Sequence, residues 1–133
     1  MKVAELMQSE VTSVRMEDRV GDAVALLSDN HLSALPVVDR QGRIVGVFTI
    51  ADLAAAELEA DNEAGRESLF ERTAVRDVMT PYVFTVTPET DVREAAQQML
   101  YANVHRLFVT RDGRPAGVIS TTDLARAVAL SWA

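Results

Sequence analysis

Two stretches of this chain carry the same order of chemical types. Gly46-Val47-Phe48-Thr49-Ile50-Ala51-Asp52 and Gly117-Val118-Ile119-Ser120-Thr121-Thr122-Asp123 each read glycine, two apolar residues, a hydroxyl, two residues, then aspartate. An apolar run ends at the hydroxyl and a helical pattern begins there. A hydroxyl followed three residues later by an acid resembles a capping box, in which each side chain serves the other's backbone N–H. The acid also sits well at the positive end of a helix. The same physics suits a ligand. Free N–H groups at a helix start attract an anion. The hydroxyl can donate to a phosphate oxygen, and a carboxylate one turn later can accept from two ribose hydroxyls. Cap and ligand site are compatible, and spacing leaves both readings open.

A second group with chemical potential is His105-Arg106. Arginine offers planar, charge-assisted donors that match phosphate. The plainer reading is a surface pair where a helix hands over to a strand. His31, the other histidine, has no similar setting and reads as a solvated helix end. Two distant histidines and scattered acids make no metal site. Ser and Thr residues lie near no histidine, base and orienting group in sequence, and acids such as Glu57 and Glu59 read as solvated, so no enzyme is expected. Trp132 is expected to end the final helix and pack on a neighbouring helix or subunit.

The elements that carry these groups are repeated. Val11 aligns with Val83, Val14 with Val86, Val20 with Val92, Ala23 with Ala95, Leu35 with Leu107 and Val37 with Val109. After the turn at Asp39–Gly42 the alignment slips by one, and Gly46, Asp52 and Leu53 fall on Gly117, Asp123 and Leu124. Loops tolerate such a deletion. Each copy predicts a short extended piece (Val11–Val14 or Val83–Val86) and then an amphipathic helix. The first helix is marked by Val20, Ala23, Val24 and Leu27, the second by Val92, Ala95, Ala96 and Met99. Strands at Ala34–Val38 or Leu107–Thr110 and at Ile44–Phe48 or Ala116–Ile119 follow, joined by a glycine-containing turn. A final helix starts near Ile50 or Thr121. The strands are β-branched and continuous, as when both faces are covered. The expected class is α/β (α+β), with β-α-β-β-α twice: residues 1–60, a linker at 61–74, and 75–133. In the linker, Asp61–Gly65 breaks helical periodicity; the segment reads as an acidic solvated connector, with Leu69 and Phe70 as the alternative, candidates to dock it on the core.

Composition narrows the function. The 133 residues are 48% apolar and 25% charged, which is ordinary for a globular chain. The net charge of −7 argues against nucleic acid and anionic lipid as partners. No run approaches the roughly 20 apolar residues of a membrane span. The start lacks the apolar core of a signal peptide. With no cysteine, disulfides and thiolate chemistry are excluded. A cytoplasmic location is expected.

The whole pattern resembles the CBS (cystathionine beta-synthase-type) domain family. The resemblance rests on the doubled β-α-β-β-α order, Leu35-Pro36-Val37-Val38-Asp39, the glycine-to-aspartate motif in both copies, and Asp77-Val78-Met79-Thr80-Pro81 opening the second copy. It runs from about Val3 to Val128. It implies a tandem pair, or Bateman module, with sheets packed about a pseudo-two-fold axis and two clefts between the copies. It implies an adenosine-containing ligand: AMP, ADP, ATP or S-adenosylmethionine. No cofactor is required. The first cleft would use Thr49, Asp52, Val83, Phe84, His105 and Arg106. The second would use Val11, Thr12, Ser13, Ser33, Ser120 and Asp123. At Ser33-Ala34 the second cleft departs from His105-Arg106 and carries no charge, which weakens its case for phosphate. The resemblance further implies a homodimer and control of a partner or fused domain. The alternative is a ligand-free dimerisation module, its clefts filled by Phe48, Phe84 and Phe108.

Overall fold

The computed structural model describes residues 1–131; Trp132 lies outside them. It is a mixed α+β structure with two three-stranded sheets. Two compact units are present: Thr12–Val83, and Met1–Val11 together with the chain from Phe84 onward. These units do not coincide with the two repeats as they follow in sequence. The opening segment of each repeat belongs to the unit built by the other.

The Thr12–Val83 unit contains β1 (Val14–Arg15), α1 (Val20–Asp29), β2 (Ala34–Val38), β3 (Ile44–Thr49), α2 (Ile50–Glu59) and α3 (Glu63–Arg72). Strand β1 runs parallel to β2, with α1 as the crossover, and β2 pairs antiparallel with β3. Its core holds Val14, Val20, Ala23, Leu27, Leu35, Val37 and Phe48. Phe48 is fully buried there, so its bulk fills its own unit's core.

The other unit contains β4 (Thr85–Val86), α4 (Val92–Ala102), β5 (Arg106–Arg111), β6 (Arg114–Ser120) and α5 (Thr121–Ser131). It repeats the same pairing. Val86, Ala95, Met99, Leu107, Val109 and Ile119 form its core with Val3.

The expected strands are present, with one local difference. The opening pieces shrink to two residues each. In the second copy Thr85 pairs with Phe108, but in the first the ladder starts one residue later, at Val14 and Val37. The residue beside Val37 is Pro36, which has no N–H to contribute. Ser13 therefore stays outside β1.

Helix ends follow from local chemistry. Asp91 caps α4 by accepting from Arg93 N–H at 2.8 Å. That helix stops at Asn103, held at φ 56°, and His31 after α1 takes the matching conformation at φ 54°. Asparagine and histidine are among the residues most often found in this left-handed region. Gly42 and Gly113 also have positive φ, in the hairpin turns. His31 is exposed, as a helix terminus should be.

Segment 61–74 carries α3. Asn62 accepts from Gly65 N–H at 2.8 Å, so the break in periodicity is a helix start. Leu69 is buried in the core of the unit and Phe70 packs against it. A Cβ on Gly21 of α1 would lie 2.7 Å from the Phe70 carbonyl oxygen, so the missing side chain lets α3 approach α1.

Candidate functional site

The two repeated motifs sit at strand-to-helix corners, β3 to α2 and β6 to α5. Their glycines face the opening segment of the opposite repeat. A Cβ at Gly46 would lie 2.6 Å from the Thr80 carbonyl oxygen and 2.8 Å from Met79 Sδ. At Gly117 the matching distances are 2.7 Å to the Gln8 carbonyl oxygen and 2.8 Å to Met7 Sδ. Only glycine leaves this room. The segments are then pinned by backbone pairs, Val47 with Thr80 and Val118 with Gln8, with all four N–H···O distances between 2.8 and 2.9 Å.

This pinning brings a side chain to each aspartate. Asp52 Oδ2 accepts from Thr49 N–H at 2.9 Å and from Thr49 Oγ1 at 3.0 Å. Asp52 N–H donates back to Thr49 Oγ1 at 3.1 Å, completing a capping box. The other oxygen, Oδ1, accepts from Thr80 Oγ1 at 2.8 Å. Asp52 is half-buried.

The second motif has the same box. Asp123 Oδ2 accepts from Ser120 N–H at 2.9 Å and Ser120 Oγ at 3.0 Å. Asp123 Oδ1 accepts from Gln8 Nε2 at 3.3 Å and from Arg126 Nη1 at 3.3 Å. Asp123 is only 4% exposed. The two carboxylates therefore differ in both burial and partners.

His105 and Arg106 are exposed at the start of β5. The His105 carbonyl accepts the first N–H of α5, from Thr121, at 2.9 Å. Ser33 does the same for Ile50 of α2 at 3.1 Å. The two positions share one backbone role and differ only in side chains. His105 also lines a hollow of about 330 Å³ with Met99, Val104, Thr121 and Leu124.

Thr49, Asp52 and Val83 belong to one unit; Phe84, His105 and Arg106 belong to the other. Of the second set, Val11, Ser120 and Asp123 lie in one unit, and Thr12, Ser13 and Ser33 in the other. Phe84 packs against the core of its unit. Val11, Thr12 and Val83 are half-buried, and Ser13 and Ser33 are exposed.

Three polar contacts escape a reading of motifs: Thr80, Gln8 and Arg126. A signal for the first two existed. Each follows the repeated methionine, Met79 or Met7, and each is a hydrogen-bonding residue at the same repeat position. Among the described residues no group of three or more His, Asp or Glu side chains is placed to hold a metal ion. No helix among them is long and apolar enough to cross a membrane.

Known proteins resemble this chain. Inosine-5'-monophosphate dehydrogenase of Methanocaldococcus jannaschii is 29% identical over 94% of this chain, which spans 23% of that enzyme's length. The crystal structure of CBSX2 in complex with AMP is 28% identical, with a TM-score of 0.82 over 99% of this chain and 98% of that one. The CBS domain pair of protein MJ0100, in complex with 5'-methylthioadenosine and S-adenosyl-L-methionine, is 22% identical with a TM-score of 0.77, over 96% of this chain and 99% of that one. At that identity the likeness concerns the fold. The CBS domain model matches residues 3–59 and 75–130, one stretch for each copy of the motif, and the chain belongs to the CBS domain family.

Proposed function

We propose that this chain is a regulatory module that binds an adenosine-containing ligand and catalyses no reaction. The observation that carries the reading is the Thr49–Asp52 pair at the start of α2. A hydroxyl and a half-buried carboxylate are held there by their own capping box. The carboxylate keeps acceptor capacity for a ribose hydroxyl, and the hydroxyl stands at the positive end of a helix. The complex of CBSX2 with AMP supports the ligand class.

In this reading Thr49, Asp52, Val83, Phe84, His105 and Arg106 hold one ligand. Arg106 faces its phosphate. Val11, Thr12, Ser13, Ser33, Ser120 and Asp123 form a second, weaker set without a cation at position 34. AMP, ADP, ATP and S-adenosylmethionine are the candidates. At roughly −0.3 kcal/mol for each of about 23 non-hydrogen atoms, AMP gains about −7 kcal/mol. That corresponds to a Kd on the order of 10 μM, which suits a sensor. Binding would act on a partner or fused domain by favouring one of two arrangements of the module.

Two further parts belong to the proposal. The module works as a homodimer in the cytoplasm. Support for the dimer comes from exposed apolar side chains on helices: Leu58 on α2, Leu100 and Tyr101 on α4, and Val128 and Leu130 on α5. The same faces suit the second reading, in which a ligand-free pair serves only to dimerise a larger assembly.

A thermal-shift series with AMP, ADP, ATP and S-adenosylmethionine tests the proposal, because a ligand of the folded state raises the melting temperature by mass action. A shift with at least one of them is expected. No shift, and no heat by calorimetry at millimolar ligand, would favour the ligand-free module.

A further inference from the structure

We infer that Gln8 and Arg126 are internal ligands of Asp123, closing the second aspartate to ribose and leaving Asp52 as the open one. The inference deepens the proposed function and rests on it. A carboxylate has about four lone-pair positions. Four donors already point at Asp123: Ser120 N–H, Ser120 Oγ, Gln8 Nε2 and Arg126 Nη1. Three point at Asp52: Thr49 N–H, Thr49 Oγ1 and Thr80 Oγ1. One acceptor position of Asp52 is open among the described residues.

The difference has a source in sequence. Arg126 stands three residues after Asp123 in α5, and Ala55 stands three residues after Asp52 in α2. Residues so spaced share a helix face, so an arginine there reaches back to the carboxylate. Alanine has nothing to offer. The ion pair of Arg126 with Asp123 measures 3.3 Å; the Asp123 side chain is 5% exposed and the Arg126 side chain 57%. The gate is thus a solvent-facing arm over a buried acceptor. Displacing it removes a charge-assisted bond before a ribose can gain one.

Adenosine isolates this effect, since it has no phosphate for Arg106 to hold. Calorimetry of the full chain should give one equivalent for the wild type and two for Arg126→Ala. Ala55→Arg should weaken binding by about tenfold or more, the scale of one charge-assisted bond. This second variant leaves the buried Asp123 untouched, so the test survives if Arg126→Ala folds poorly. Asp52→Ala should weaken that one equivalent past detection at micromolar adenosine, and Asp52→Ala with Arg126→Ala should regain one equivalent. Two equal equivalents in the wild type would overturn the gate. So would an Ala55→Arg protein that binds like the wild type. Either result leaves the adenosine reading standing. Absence of adenosine binding in the wild type and in every variant would instead overturn both.

Discussion

Thr80 Oγ1 donates to Asp52 Oδ1 over 2.8 Å, joining the opening segment of the second repeat to the helix start of the first. The bond ties a carboxylate expected to meet ligand to the close packing of Gly46 against Met79 and Thr80. Packing and the proposed recognition therefore meet in one side chain, and both can be tested.

The glycines come first. Gly46→Ala and Gly117→Ala each force a methyl group into backbone less than 3 Å away. Each should cost about 1–3 kcal/mol. Gly65→Ala is the control. It lies within α3, and the nearest atom to its Cβ would be 3.4 Å away, so it should stabilise by roughly 0.5 kcal/mol. Urea denaturation reads all three. Equal effects at Gly46 and Gly65 would refute the steric account.

Arg106 and Asp52 should separate by ligand. Arg106→Ala should weaken AMP by roughly ten- to a hundredfold, the equivalent of about 1.5–3 kcal/mol for a charge-assisted bond. It should leave adenosine nearly unchanged. Asp52→Ala should weaken both, because the ribose is common to them. Parallel calorimetric titrations decide this. An Arg106→Ala protein that loses AMP and adenosine equally places the phosphate elsewhere.

The exposed face of α4 gives an assembly prediction. Leu100 is 83% exposed and Tyr101 92%. Single exposed apolar side chains are ordinary, but two this exposed on one helix are where the proposed dimer would bury area. Light scattering should show a dimer for the wild type. Leu100→Lys with Tyr101→Lys should shift it toward monomer without unfolding it. A wild-type monomer at all concentrations removes the dimer from the proposal.

His31 and Asn103 occupy matching left-handed positions after α1 and α4. His31→Asn should be nearly neutral. His31→Val should lose about 1–2 kcal/mol, because a β-branched side chain crowds the backbone there. Thermal denaturation of the two variants, side by side, tests the conformation directly.

Much of this protein is legible in its residues one after another. The repeat, the helix faces of Val20, Ala23 and Leu27, the glycine turns and the Thr49–Asp52 spacing all depend on neighbours within a few positions. Periodicity and capping report such short distances well. The family resemblance extended that reading to candidate ligand residues.

Tertiary structure decided the rest. Residues 61–74 read as a connector, but Asn62 starts a helix there and Leu69 finds a core only when α1 lies beside it. The glycines of the repeated motif read as strand residues, while their reason lies in segments far along the chain, Met7-Gln8 for Gly117 and Met79-Thr80 for Gly46. The exchange of opening segments between units is invisible to any local pattern, since it changes no spacing. The two aspartates look alike in sequence, but the structure surrounds one with four donors and the other with three. Local chemistry sets which groups a chain carries; only long-range packing sets which acceptors are already filled, because a hydrogen bond needs its partner within about 3 Å however far apart the two lie in sequence.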